Sequence, residues 1–140
     1  MRTNRNCVIA LIVYVLIVFY IAVLSRDTLV NTKDIIRLDL LRGFFNATKD
    51  YDGDILRNIF CFIPIGIITS IVTKRNRILK ALLFGFLFSL AIESSQLIWK
   101  KGVFDVVDLF NNSVGALIGG LFVLLVNRMI KWKKLGVING

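Results

Sequence analysis

Four apolar runs order this chain: residues 7–24, about 55–72, 78–99 and about 105–126. Each approaches the ~20 residues that an α-helix needs to cross a ~30 Å hydrocarbon core. Helices also satisfy their own backbone groups in lipid. The pattern therefore predicts an all-α fold, an integral membrane bundle of four transmembrane helices forming one domain over residues 1–140. The first run carries no charge. Arg2 and Arg5 precede it as in a signal peptide, but Ile21-Ala22-Val23-Leu24-Ser25 offers no small-x-small cleavage site, so the expectation is a retained anchor helix.

Composition agrees. The chain is 56% hydrophobic with a mean hydropathy of +0.75, one proline and no histidine, which is too apolar for an ordinary water-soluble domain. The two cysteines, Cys7 and Cys61, fall at different depths, so no intrachain disulfide is expected. No Cys/His metal spacing occurs, and no cofactor is expected.

The net charge of +9 is concentrated at helix ends. Arg2 and Arg5 precede the first run, Lys74, Arg75, Arg77 and Lys80 crowd the second turn, and Arg128, Lys131, Lys133 and Lys134 follow the fourth run. In a four-helix topology these three clusters share one side, which the positive-inside rule makes cytoplasmic. The expected location is the bacterial cell membrane, multi-pass, with both termini inside. Segment 25–54, rich in aspartate, and the short turn with Lys100 and Lys101 would then face outward. Lysine and arginine placed this way suit anionic lipid head groups, so membrane lipids are the expected partners and nucleic acid is not. Trp99 and Trp132 sit near the two boundaries.

Polar residues within spans are costly and mark candidate sites. Glu93 and Gln96 are spaced i, i+3, and Asp105, Asp108 and Asn112 are spaced i, i+3, i+7, so each set is expected on one helix face. At ~1.5 Å per residue, Glu93 lies roughly 9 Å inward from Trp99, and Asn112 roughly 10 Å inward from Asp105. Arg57 and Asn58 enter the second helix from the same side. Together these seven residues predict a polar, ligand-binding pocket opening outward, with Glu93, Asp105 and Asp108 the candidates for any catalysis. Gly115, Gly119 and Gly120, with Gly85 and Ser89, read as close-packing positions. Pro64 and Gly66 predict a bend in the second helix. In the outer segment, residues 33–45 alternate apolar with charged positions, as in a short interfacial element able to cap the pocket.

The ordered segments Asn58-Ile59-Phe60-Cys61-Phe62-Ile63-Pro64-Ile65-Gly66, Glu93-Ser94-Ser95-Gln96, Gly102-Val103-Phe104-Asp105-Val106-Val107-Asp108 and Asn112-Ser113-Val114-Gly115 resemble the VanZ-like family of small bacterial membrane proteins. The resemblance covers about 54–120. It implies a role near lowered susceptibility to glycopeptide antibiotics such as teicoplanin, which act on lipid-linked cell-wall precursors at the outer membrane face. Family members commonly carry an acidic residue just before the position of Asp108, where this chain has Val107.

Three readings remain open on the sequence. In one, the pocket binds or acts on an outer-leaflet amphiphile or lipid-linked cell-wall precursor, with Arg57 meeting an anionic group and Asn58, Gln96 and Asn112 donating hydrogen bonds. In another, Glu93, Asp105 and Asp108 serve a membrane-embedded enzyme acting on a lipid head group, as acid/base groups or as oxygen ligands to Mg²⁺ or Ca²⁺. In the third, the polar groups fasten helices in a structural or partner-binding subunit. A transporter would require a homo-oligomer, because four helices without a repeat offer little material for alternating access.

Overall fold

The computed structural model describes residues 5–28, 36–37, 49–73 and 75–134. Four helices carry the chain: α1 (Arg5–Phe19), α2 (Lys49–Val72), α3 (Arg77–Ile98) and α4 (Val106–Lys134). All four spans, Arg5–Leu24, Asp54–Val72, Arg77–Ile98 and Val106–Lys134, are long and apolar enough to cross a membrane. Large apolar side chains such as Leu16, Phe60, Leu87, Phe122 and Leu125 point away from the protein, as a lipid solvent permits. This is an all-α membrane protein. The amphipathic stretch expected over 33–45 lies outside the described residues, except for Ile36–Arg37. These form a two-residue strand, β1, pairing in parallel with β2 (Phe104–Asp105).

Two boundaries differ from the hydropathy pattern. α2 begins at Lys49 rather than near 55, taking Asp50, Asp52 and Asp54 into its first turns. α4 runs for 29 residues, beyond 126 to Lys134, so that Arg128, Lys131, Lys133 and Lys134 lie on the helix itself. At 1.5 Å per residue it is about 43 Å long, more than a hydrocarbon core requires. Basic residues in its last turn complement the helix dipole, which explains why helix persists where hydropathy falls.

The most extensive packing joins α2 to α4. A Cβ added at Gly115 would strike the Ile59 carbonyl oxygen, one at Gly119 the Ile63 carbonyl oxygen, and one at Gly66 the Ala116 carbonyl oxygen. The offset from Ile59 to Ile63 matches that from Gly115 to Gly119, so α2 and α4 run in the same direction. α3 packs against both in the opposite sense, with Gly85 against the Ala116 side chain. Lipid supplies no hydrophobic force between helices, so van der Waals contact at such small-residue faces holds them together. Pro64 lies inside a continuous α2 and withholds one donor, from the Phe60 carbonyl.

α1 is peripheral. None of Arg5–Phe19 is buried, and its contact with the core falls toward its end, where Val23 joins Phe62, Ile65 and Ile92. Polar ties attach it: the Tyr14 hydroxyl donates to the Cys61 carbonyl (3.0 Å) and Lys101 Nζ to the Leu24 carbonyl (2.9 Å). The Phe19 ring meets Trp99 edge-on at 6.1 Å. The helix ends in a π-helical turn, Tyr20–Leu24. Cys7 and Cys61 are free thiols.

Substitution of Gly66 by alanine places a methyl against backbone and should cost about 1–3 kcal/mol. At Gly120 the same methyl meets the Ala81 and Ser70 side chains, each at 3.2 Å, and comes no nearer than 3.6 Å to the Ile78 backbone. Thermal unfolding in detergent should therefore show a clearly lowered midpoint for Gly66→Ala and a much smaller change for Gly120→Ala. Equal midpoints would contradict the backbone contact.

Candidate functional site

The turn between α3 and α4 builds the site's upper edge. Trp99 ends α3, and Lys100 follows with φ 54°, a left-handed conformation usually taken by glycine. The Lys101 N–H donates to the Gln96 carbonyl (2.8 Å) and the Lys100 N–H to the Leu97 carbonyl (3.2 Å), the paired bonds of a Schellman stop. Gly102 then passes so close to Gln96 that a Cβ would lie 2.7 Å from Oε1. The chain returns at once, and α4 begins at Val106.

Asp105 accordingly precedes α4 in β2, rather than sharing a helical face with Asp108 and Asn112 as its i, i+3, i+7 spacing predicts. Its Oδ1 accepts the Val107 N–H at 2.8 Å, which makes it the N-cap of α4. Its own backbone N–H donates to Glu93 Oε2 at 2.9 Å. Glu93, 2% exposed, thus braces the turn from one helical turn below. Spacing alone could not separate a cap from a first helical turn, because both place a carboxylate near the helix N-terminus.

A cavity of about 280 Å³ lies beneath this turn, lined by all four helices. α1 contributes Val18, Ile21 and Ala22, α2 contributes Arg57, Asn58, Cys61 and Phe62, α3 contributes Ile92, Glu93 and Gln96, and α4 contributes Asp108 and Asn112. Arg26, just past α1, completes the wall. Six of the seven sequence-predicted residues therefore surround one space. Asp105 lies instead in an adjoining vestibule of about 540 Å³ with Asp27, Asp54 and Lys101. Arg26, Arg57 and Asp108 line both spaces and form the neck between them.

Several polar groups also bind the protein to itself. Gln96 Nε2 donates to the Ala22 carbonyl (3.0 Å), tying α3 to α1. Asn112 Nδ2 donates to Ser89 Oγ (2.8 Å), tying α4 to α3. Ser89, expected only as a small packing residue, is an acceptor here. Arg57 is exposed and pairs with Asp54 at 2.8 Å, one helical turn away. Asn112 Oδ1 is buried without a hydrogen-bond partner. Among the described residues, no group of three or more His, Cys, Asp or Glu side chains converges as a metal site.

Arg26 and the α1 wall escaped sequence reasoning. Arg26 looks like one more charge in a charged loop, and its position two residues after the first apolar run was the available signal. The α1 residues in the wall are all apolar, so nothing in their chemistry sets them apart from lipid-facing neighbours.

A VanZ/LLP1 family model matches residues 7–127, which takes in all four helices. The chain belongs to the VanZ/LLP1 family. It is 31% identical over 91 residues to Protein VanZ of Enterococcus faecium, a match covering 65% of this chain and 56% of that relative. No solved structure matches. The family match reaches well before residue 54, where the motif resemblance begins, so α1 is part of the family's common body. This agrees with α1 closing one side of the cavity.

The capping role of Asp105 makes a specific expectation for this VanZ/LLP1-family protein. Asparagine caps about as well as aspartate, whereas alanine at an N-cap costs about 1 kcal/mol. Asp105→Asn should unfold at nearly the wild-type temperature and Asp105→Ala measurably lower. A strong loss in the asparagine variant would assign the charge itself a structural role.

Proposed function

We propose that this protein binds the head group of an amphiphile in the outer leaflet, such as a lipid-linked cell-wall precursor, and thereby lowers susceptibility to glycopeptide antibiotics of the teicoplanin type. The observation that carries the reading is the cavity itself, a space at one end of the bundle with charged, amide and apolar walls. Such a mixture suits a polar group attached to an apolar tail. Its volume is roughly twice that of an engineered ~150 Å³ cavity that takes benzene, so it accommodates a head group or single ring rather than an entire precursor.

Orientation is part of the same proposal. The basic residues at the opposite end, Arg75, Arg77, Lys80 and those of the last turns of α4, favour the cytoplasmic side and set the cavity facing outward. Cysteines introduced at Lys101 and at Arg75 should react with a membrane-impermeant thiol reagent from opposite faces of the membrane, with Lys101 labelled in intact cells. Labelling of both from one face would remove the topology.

The hydrogen bonds of Glu93, Gln96 and Asn112 favour a second reading for those residues, in which they only fasten helices. Asp108 separates the two. It borders the cavity and accepts no hydrogen bond from a described residue, so its removal should leave the bundle intact. In a teicoplanin-sensitive Gram-positive host, wild-type expression should raise the inhibitory concentration, and Asp108→Ala at matched membrane levels should return it to the vector control. Protection by the alanine variant equal to wild type would place the working surface elsewhere.

A further inference from the structure

The cavity wall holds a buried acceptor that the protein itself does not satisfy, and that vacancy constrains the ligand. One N–H of each of the Gln96 and Asn112 amides is used within the protein, on the Ala22 carbonyl and on Ser89 Oγ. Beside the donors of Arg26, Arg57 and Asn58, the wall carries an acceptor that the protein leaves unpaired. Asn112 is 4% exposed, and its Oδ1 has no partner. The carboxylates of Glu93 and Asp108 stand with it in the same wall. A buried acceptor without a donor costs about 1–3 kcal/mol, so a ligand that brings N–H groups recovers what the empty site forgoes.

Charge adds a second constraint. Two arginines, Arg26 and Arg57, and two carboxyl groups, Glu93 and Asp108, line the cavity, and Arg57 also pairs with Asp54. They are not mixed at random. Glu93 is buried at the wall, whereas both arginines are exposed at the neck, where Asp108 borders both spaces. This difference in depth suits a dipolar ligand, with its positive end inward and its negative end at the neck. A guanidinium pair is well suited to phosphate oxygens. Carboxylates with an amide oxygen are suited to an ammonium that still carries hydrogens.

We propose that this cavity binds a zwitterionic phosphate ester, its primary ammonium meeting Glu93, Asp108 and Asn112 Oδ1 and its phosphate held at the neck by Arg26 and Arg57. The inference rests on the proposed amphiphile-binding role and names the head-group chemistry for it. A phosphoethanolamine group has this character. Phosphocholine carries the same charges but no N–H, and a phosphoglycerol group carries the anion without the cation.

The full chain, purified in detergent, is titrated with dioleoyl phosphatidylethanolamine, phosphatidylcholine or phosphatidylglycerol, and the thermal-unfolding midpoint is followed, since a ligand selective for the folded state raises it. Phosphatidylethanolamine is expected to bind at least about tenfold more tightly than either of the others, in keeping with hydrogen bonds from a charged donor. That preference should be lost in Glu93→Gln and in Asp108→Asn. The glutamine keeps an oxygen for the Asp105 N–H, so the turn remains braced. Soluble phosphoethanolamine provides a further arm. A midpoint rise with it, absent with phosphocholine, means that the head group alone is recognised, and a rise confined to the lipid means that the tail contributes. Equal affinity for the ethanolamine and choline lipids, or tightest binding of the glycerol lipid, would overturn the proposal. Either result alongside loss of resistance in Asp108→Ala would overturn this ligand assignment alone. Ethanolamine selectivity with no effect on teicoplanin susceptibility would instead remove the resistance role and leave the ligand standing.

Discussion

Everything at the polar end depends on how closely α2 and α4 approach. These helices run in the same direction and meet at Gly66, Gly115 and Gly119, where a methyl would enter the facing backbone. In lipid, that backbone proximity is the main attraction available, because exchanging lipid contacts for helix contacts yields no hydrophobic gain. Its consequence is positional. With the glycines in register toward the middle of the bundle, Asn58 on α2 and Asp108 and Asn112 on α4 are brought to one space a turn or two farther along. A thicker interface would separate these groups and admit lipid between them.

The opposite wall is placed by hydrogen bonds rather than by close packing. The tight return from α3 to α4 combines a left-handed Lys100, a glycine pressed against Gln96 and a capped helix start at Asp105, and Glu93 closes it by accepting the Asp105 N–H. Glu93 is thus both a brace and part of the cavity wall. Gln96 and Asn112 have the same double duty. Binding and fastening are not competing assignments for such residues, since an amide has donors to spend on a neighbouring helix and an oxygen to turn elsewhere. In Asn112 the donor holds Ser89 and the oxygen is unpaired, so the residue does structural work on one side and leaves a vacancy on the other.

Sequence legibility followed the range of the interactions involved. Hydropathy shows the four spans because burial in lipid is a local property averaged over many residues. The convergence of Arg57, Asn58, Glu93, Gln96, Asp108 and Asn112 was legible from depth alone, since polar side chains at one level of a small bundle have few places to go. The part played by Asp105 was not. A cap and a first-turn residue share composition and spacing and differ only in backbone conformation. Nor could the pattern show that amide donors are spent on Ala22 and Ser89, as both contacts cross between helices far apart in sequence. Arg26 is similar: its meaning comes from α1 folding against the other three helices, and nothing local separates it from Asp27.

Val107 brings these arguments to bear on a departure from the family pattern. An acidic residue there would read on the sequence as an additional cavity carboxylate, and its absence as a defect in the site. The structure gives position 107 a different setting. Val107 is 2% exposed, lines neither the cavity nor the vestibule, and donates its backbone N–H to the capping Asp105. Valine therefore removes no carboxylate from the space around Asp108. It replaces a buried group that would need its own partner with one that needs only packing. The cavity's two carboxyl groups, Glu93 and Asp108, and its two arginines, Arg26 and Arg57, are the same whichever residue stands at 107.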